Sequence, residues 1–471
     1  MNAADLPSIS RLRLHALARA GIWTAILLPP FFLLLAVQYS AITFPYWDHC
    51  ELVKFFAKYY DGNLSLHDLW APHNHTRPLT YRVVMLLNGV LTRWDIRSEY
   101  IYLLASLYGA FAVLAGRFRK TFESKPAVVP LMFLAAVSVF HFSPAGHNNH
   151  WWSMMCQLTF THFFIVAALV WLAAAPLCWK NNAGAAVACW LASYTLTNGI
   201  FAFVSALAMV QFAHEEPWRP NRFTWFWVAN LVVLQLLYWP GLPETPGNLP
   251  VAGPVTLLYF CLVYIGSPVW GILNYSFTNQ GGSPRPEWPA VCGFLQLVAT
   301  IWLAVGYRAW LRRRSPEALL FLGFTLFTWI SAAGTGRARA AFDHRGAGVG
   351  ADSRYTIFGA YAVYGLLFFL AGLIRDGEWK PLLTGRLRGW GRASVALGFG
   401  LFLLLGLRSY ATSARVYRHI HDLNERLGAA FLSPTPRPDL EKSIYPSPEG
   451  VTQMKAELRR LGIGPYRAWN P

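Results

Sequence analysis

The residues best equipped for chemistry lie just past the first apolar run, in Phe44-Pro45-Tyr46-Trp47-Asp48-His49-Cys50-Glu51. A carboxylate there sits at a membrane–water boundary, within reach of a lipid head group. Asp48 could take a proton from an acceptor hydroxyl as general base. Glu51 follows three residues on and would share its helical face. The same Asp-x-x-Glu spacing also reads as a helix start, with Asp48 as N-cap and Glu51 at the third helical position of a helix over 52–60. Downstream, His73, His75 and Arg77 stand within the stretch from Trp70 to Pro78 and could contact a phosphate or a sugar.

Two further groups lie beyond the third and ninth of the apolar runs. His147 and His150 belong to His147-Asn148-Asn149-His150-Trp151-Trp152. They read either as part of an aromatic belt or as the wall of a cleft that stacks sugars on tryptophan. Asp352-Ser353-Arg354-Tyr355 opens the next apolar run, and Arg337, Arg339 and Arg345 precede it. An arginine at a helix mouth can snorkel to the interface. It can also grip a phosphate with paired hydrogen bonds. Four arginines on one short loop ask for an anionic partner. His49, His67, His147 and His150 are close in chain topology, but no spacing matches a metal signature such as HExxH. No cofactor is therefore assigned; a divalent metal is considered and not favoured. The six cysteines show no CxxC spacing, and most lie in apolar runs, as buried structural thiols do. A disulfide between Cys50 and Cys156 is not favoured.

The elements that must hold these groups follow from composition. Of 471 residues, 55% are hydrophobic and 13% charged. Soluble domains carry about 25% charged residues. Aromatic residues reach 16%. A single globular core cannot hide so much apolar surface behind so little charge, which leaves a polytopic, all-α membrane protein. Apolar runs fall near 20–43, 97–116, 127–142, 156–178, 183–197, 199–213, 223–241, 289–307, 316–334, 355–374 and 393–410. The first is too long for a signal-peptide core and no small-residue cleavage site follows, so it reads as the first span. Segment 254–275 is apolar but contains Gly266, Ser267 and Pro268, and is expected to be broken, re-entrant or surface-lying.

The net charge of +17 would suggest nucleic acid in a soluble protein, but here it is a topology signal. Arg11, Arg13 and Arg19 precede the first span. With 254–275 not crossing, the basic turns near 117–125, 219–222, 308–314 and 375–392 fall on the same side as the N-terminus. The expectation is about eleven spans, a cytoplasmic N-terminus and an extracytoplasmic C-terminus. Residues 1–410 then form the membrane module, with a large first outer loop over 44–97 carrying amphipathic helices. Residues 411–471 form a small outer tail. No nucleic-acid partner is expected, and membrane lipids are.

An acid directly after the first span, many spans, and a late Ser353-Arg354-Tyr355 at an outer helix mouth resemble the GT-C glycosyltransferases. The stretches Trp47 to Glu51 and His73 to Pro78, with Ile444-Tyr445-Pro446 and Leu458 to Tyr466 in the tail, also look like a branch of bacterial membrane proteins without assigned chemistry. The resemblance implies a GT-C-like bundle in a bacterial inner membrane, within the cell envelope. It implies a polyprenyl-phosphate-linked sugar donor and a lipid or glycan acceptor. Asp48 would be the base, with Glu51 beside it, and Arg354 would hold the donor phosphate. Protein O-mannosyltransferases carry adjacent acids where this chain has Asp48-His49. No WWDxG-type motif of oligosaccharyltransferases is present. The alternatives are a transporter or flippase of lipid-linked sugars, which calls for ionisable residues at mid-membrane depth, and a non-catalytic assembly protein.

Overall fold

The computed structural model describes residues 8–243, 252–273, 285–340, 350–378 and 388–467. Among them the chain is all-helical, and the only β pairing is an isolated bridge between His73 and Thr76. Eight helices are long and apolar enough to cross a membrane. In chain order the helices are α1 (Ser8–Ser40), α2 (Cys50–Tyr60), α3 (Leu66–Trp70), α4 (Leu79–Thr92), α5 (Ile96–Thr121), α6 (Val128–His141), α7 (Asn148–Trp151), α8 (Cys156–Ala174), α9 (Trp179–Ser193), α10 (Ile200–Ala213), α11 (Arg222–Tyr238), α12 (Pro254–Leu273), α13 (Glu287–Gly306), α14 (Arg308–Leu311), α15 (Pro316–Arg339), α16 (Thr356–Asp376), α17 (Arg388–Leu432), α18 (Pro438–Ile444) and α19 (Pro448–Leu461). The eight are α1 from Arg19, α5, α6 extended to Gly146, α8 extended back to Ser153, α12, α13, α15 and α16. Helices α9, α10 and α11 fall where spans are expected but have 15, 14 and 17 residues.

Proline and polar residues inside the long helices have partners that explain them. Pro30 lies within α1 and cannot donate to the Ile26 carbonyl one turn back. That carbonyl accepts from Ser138 of α6 at 2.7 Å instead. In α12, Pro268 frees the carbonyl of Tyr264, and the Ser267 hydroxyl donates to it at 3.0 Å. The segment holding Gly266, Ser267 and Pro268 is therefore one unbroken helix, contrary to the break expected there. Gly266 serves packing rather than bending. A Cβ on it would lie 1.8 Å from the Pro289 carbonyl oxygen, and one on Gly293 would lie 2.0 Å from that of Leu262. Small residues let α12 and α13 approach backbone to backbone, as in other apolar bundles.

The two ends of the bundle are distinguished by their polar networks. At one end Arg117 of α5 pairs with Glu317 of α15, and Arg375 of α16 reaches the other Glu317 oxygen at 2.5 Å. Thr121 donates to the same carboxylate at 2.8 Å. Burying this carboxylate without such partners would cost several kcal/mol. At the opposite end α12, packed along α13, also meets the ends of three other helices: Leu257 and Phe260 meet Gly336, Tyr264 and Pro268 meet Gly359, and Gly271 meets Ala145.

Above that second end sits a cap built from both the first loop and the chain's last helices. Phe44, Phe56, Trp94 and Ile96 share a core with Leu427, Phe431, Ile444, Val451, Leu458 and Tyr466. Lys455 of α19 pairs with the buried Glu441 at 2.5 Å and donates to the Ala430 carbonyl at 3.1 Å. Arg460 grips Asp61 through two bonds of 2.9 Å. Helix α17 runs without interruption through position 410, where the sequence places a domain boundary.

Candidate functional site

The turn bearing Asp48 is fixed from beneath by a buried carboxylate. Trp47 adopts a left-handed φ of 48° and leads a 3-10 turn over Trp47–His49. His49, fully buried, bonds through Nε2 to Glu99 Oε2 at 2.8 Å. Trp94 Nε1 donates to the other Glu99 oxygen at 2.9 Å, and the Ser153 hydroxyl donates to Oε2 at 2.9 Å. Glu99 thus ties the first loop, the start of α5 and the entry to α8 together. Glu99 and His49 stand outside the sequence-derived site set. The signal for Glu99 was a glutamate in the first turn of an apolar helix, and His49 stood only among histidines without a metal spacing.

Asp48 does not cap α2, whose N-cap is His49 without any side-chain cap bond. Its carboxylate faces His73 Nε2 at 3.7 Å. The imidazole beside it holds the Asp48 carboxyl below its ordinary range against the opposing effect of burial, with Arg354 and Arg339 adding to the pull. The side chain keeps 47% of its exposure, so it is open to a ligand.

Asp48 and His73 line a cleft of about 230 Å³ with Glu51, Lys58, Asp68 and Arg82, floored by Tyr81 and Met154. Inside it, Glu51 pairs with Lys54 at 3.1 Å and Lys58 with Asp68 at 2.5 Å. Arg82 lies over the Phe55 ring at 5.0 Å and donates to the carbonyls of Asp68 and Leu69 at 3.2 Å, ending α3. Charges of both signs balance around an aromatic floor. Such a surface suits a polyhydroxylated group, whose hydroxyls accept and donate while its ring face lies on aromatic carbon.

Arg354 is anchored two residues before α16. Its backbone N–H donates to Asp352 Oδ1 at 3.0 Å and its guanidinium to Oδ2 at 3.1 Å. Burial disfavours its charge, but Asp352, Tyr355 and Asp48 outweigh burial and raise its pKa. Asn149, absent from the sequence-derived set, donates to the carbonyls of Ser353 and Arg354 at 3.2 and 3.3 Å. Tyr355 stacks on Tyr264 of α12 at 5.7 Å. Arg337 and Arg339 are exposed on the last turn of α15. Arg345 lies outside the described residues.

The remaining candidates divide. Arg77 is buried and spends its guanidinium on the carbonyls of Trp70 at 2.9 Å, Tyr238 at 2.6 Å and Pro240. It clamps the first loop to the end of α11 and has little left for a ligand. His75 is exposed, and its carbonyl accepts from Thr197 at 3.1 Å. His150 is locked to Tyr417 of α17 at 2.7 Å. Burial lowers the His147 pKa to about 4 and that of His150 to about 3, so both are neutral. Among the described residues no three His, Cys, Asp or Glu side chains are arranged to hold a metal ion. All six cysteines are free, Cys50 and Cys156 within one core cluster. No family model, curated protein or solved structure matches this chain.

Proposed function

We propose that this protein is a GT-C-type membrane glycosyltransferase that moves a sugar from a polyprenyl-phosphate carrier to an acceptor hydroxyl. The observation that carries this reading is the convergence of Asp48, His73, Arg339 and Arg354 at the cleft end, where Asp48 and Arg354 each favour the other's charged form. A carboxylate and an arginine so coupled suit a reaction that deprotonates one oxygen while negative charge grows on another. In the step, the acceptor oxygen attacks the anomeric carbon from the face opposite the phosphate. The acceptor proton passes to Asp48, the bond from the anomeric carbon to the phosphate oxygen breaks, and the carrier phosphate leaves with both bonding electrons. Arg354, helped by Arg339 or Arg337, stabilises that phosphate. The anomeric centre inverts.

The cleft end is the extracytoplasmic side of a bacterial inner membrane in this reading, and the Glu317 end is cytoplasmic. Helix α12 then lies across the outer helix ends, eleven segments cross, and the C-terminus is outside. The Asp48→Asn protein tests the base. Transfer should fall by about 10²–10⁴-fold, the usual size of a general-base contribution. Near-wild-type transfer by a folded Asp48→Asn protein removes Asp48 from that role.

A flippase for the same lipid-linked sugars is the second reading, and His162 is the observation in its favour. It is fully buried in α8, both ring nitrogens lack partners, and its ring lies 5.0 Å from that of His141. The other buried charged side chains within the spans, Glu99, Arg117 and Glu317, lie at helix ends in closed networks, which favours chemistry at the surface over a polar path.

A further inference from the structure

A second cavity, of about 490 Å³, lies at the Glu317 end between the last turn of α5 and the start of α6. Arg119, Lys120 and Lys125 line it, with Glu123 as the single acid, and Phe122, Ala127 and Pro130 supply apolar walls. Several other cations at this end find carboxylates: Arg117 pairs with Glu317, Arg313 with Glu378, and Arg219 with Glu216 at 2.9 Å. Arg119, Lys120 and Lys125 make no ion pair and no side-chain hydrogen bond among the described residues. Three unpaired cations within seven residues leave a net charge of +2 in the groove, counting Glu123.

Depth identifies what would neutralise them. The candidate span of α5 ends at Thr121 and that of α6 begins at Val128. The groove therefore sits where two apolar helices leave the hydrocarbon, which is head-group level. Val128 is 41% exposed beside it and continues the apolar wall toward the hydrocarbon. Cations around an opening with an apolar wall below complement a molecule that carries phosphate at one end and acyl chain at the other.

We propose that this groove holds the phosphate of one anionic phospholipid, with the acyl chains running along the first turns of α6. Arg119 offers the planar fork for two phosphate oxygens, and Lys120 and Lys125 act as point charges. The choline of a zwitterionic lipid would add a fourth cation to the same opening. The site is separate from the Asp48 cleft and does not depend on the activity assigned there.

The test is native mass spectrometry of the full chain released from nanodiscs of phosphatidylglycerol and phosphatidylcholine in equal amounts. The wild type should retain phosphatidylglycerol under conditions that strip phosphatidylcholine. The Arg119→Ala/Lys120→Ala/Lys125→Ala protein should lose it by on the order of ten-fold or more, since each basic residue adds appreciably to attraction for an anionic lipid. The single reversal Lys125→Glu should lower retention in a protein changed at one half-exposed position. The control Arg308→Ala/Arg312→Ala, at the same end but outside the groove, should match wild type. Equal retention by the triple variant, equal retention of phosphatidylcholine, or equal loss in the control would each overturn the proposal. Displacement of the lipid by millimolar inorganic phosphate would overturn it in favour of a site for the free anion.

Discussion

Asp48 shows how position and neighbours give a residue its role. Its carboxyl is held below 3.8 by His73 first, then by Arg354 and Arg339. It is therefore ionised and able to accept a proton throughout the neutral range. Replacing His73 with Ala should move the acid limb of the transfer rate upward toward an ordinary carboxylate value, while the neutral-pH rate stays pH-independent. A pH–rate profile of the two proteins checks this. The sequence already marked Asp48, His73 and Arg354, because charged groups beside apolar runs stand out. It also offered a capping role for Asp48, which the 3-10 turn and the His49 N-cap replace. Arg77 was equally conspicuous, yet its donors go to three backbone carbonyls, a use that depends on the end of α11 arriving from 160 residues away. Glu99 carried little sequence signal because its partners come from three separate stretches. Glu99→Gln should destabilise the fold, since breaking a buried charged network costs about 3–5 kcal/mol. A lower Tm in detergent, with looser protease protection of the first loop, is the expected result.

At the scale of elements, the apolar runs were legible and the cap was not. Long spans announce themselves by hydropathy, and all eight long apolar helices lie in segments the sequence singled out. The Gly266-Ser267-Pro268 signal was read as a break, because proline removes a helical donor. The Ser267 hydroxyl supplies a donor in its place, and the glycine is needed for the approach of α13. Gly266→Ala or Gly293→Ala should therefore cost about 1–3 kcal/mol through overpacking, read as a lowered Tm. The tail was legible as polar and helical, but its docking on the first loop was not. That contact joins residues nearly 400 positions apart, such as Arg460 and Asp61. Glu441→Ala leaves Lys455 buried without its carboxylate and should free α18 and α19 to proteolysis while the spans stay protected.

Across the whole molecule, charge is sorted by end. The end with Glu317 gathers most basic turns, and the cleft end holds Asp48, Glu51, Asp68, Arg339 and Arg354. Between them the bundle is apolar, which accounts for a composition of 55% hydrophobic and 13% charged residues. Two histidines at the cleft end, His150 buried and His147 partly so, make the fold sensitive to acid. The pKa values of His147 and His150 are depressed to about 4 and about 3 from an ordinary 6.5. The unfolded chain therefore binds protons more readily than the folded one between about 6.5 and 3. Stability is intact above 6.5 and falls as pH drops through that window. Tm measured from pH 8 to pH 4 should decline below about 6.5, and less steeply in a His147→Gln protein.

The most direct test of the central claim is to supply a polyprenyl-phosphate-linked sugar and candidate glycan or lipid acceptors to proteoliposomes, then analyse the product. Transfer chemistry at the Asp48 cleft predicts a new glycosidic bond with the anomeric configuration inverted, lost in Asp48→Asn and Arg354→Ala proteins that fold normally. Movement of the intact lipid-linked sugar across the bilayer, with no covalent product, would contradict it.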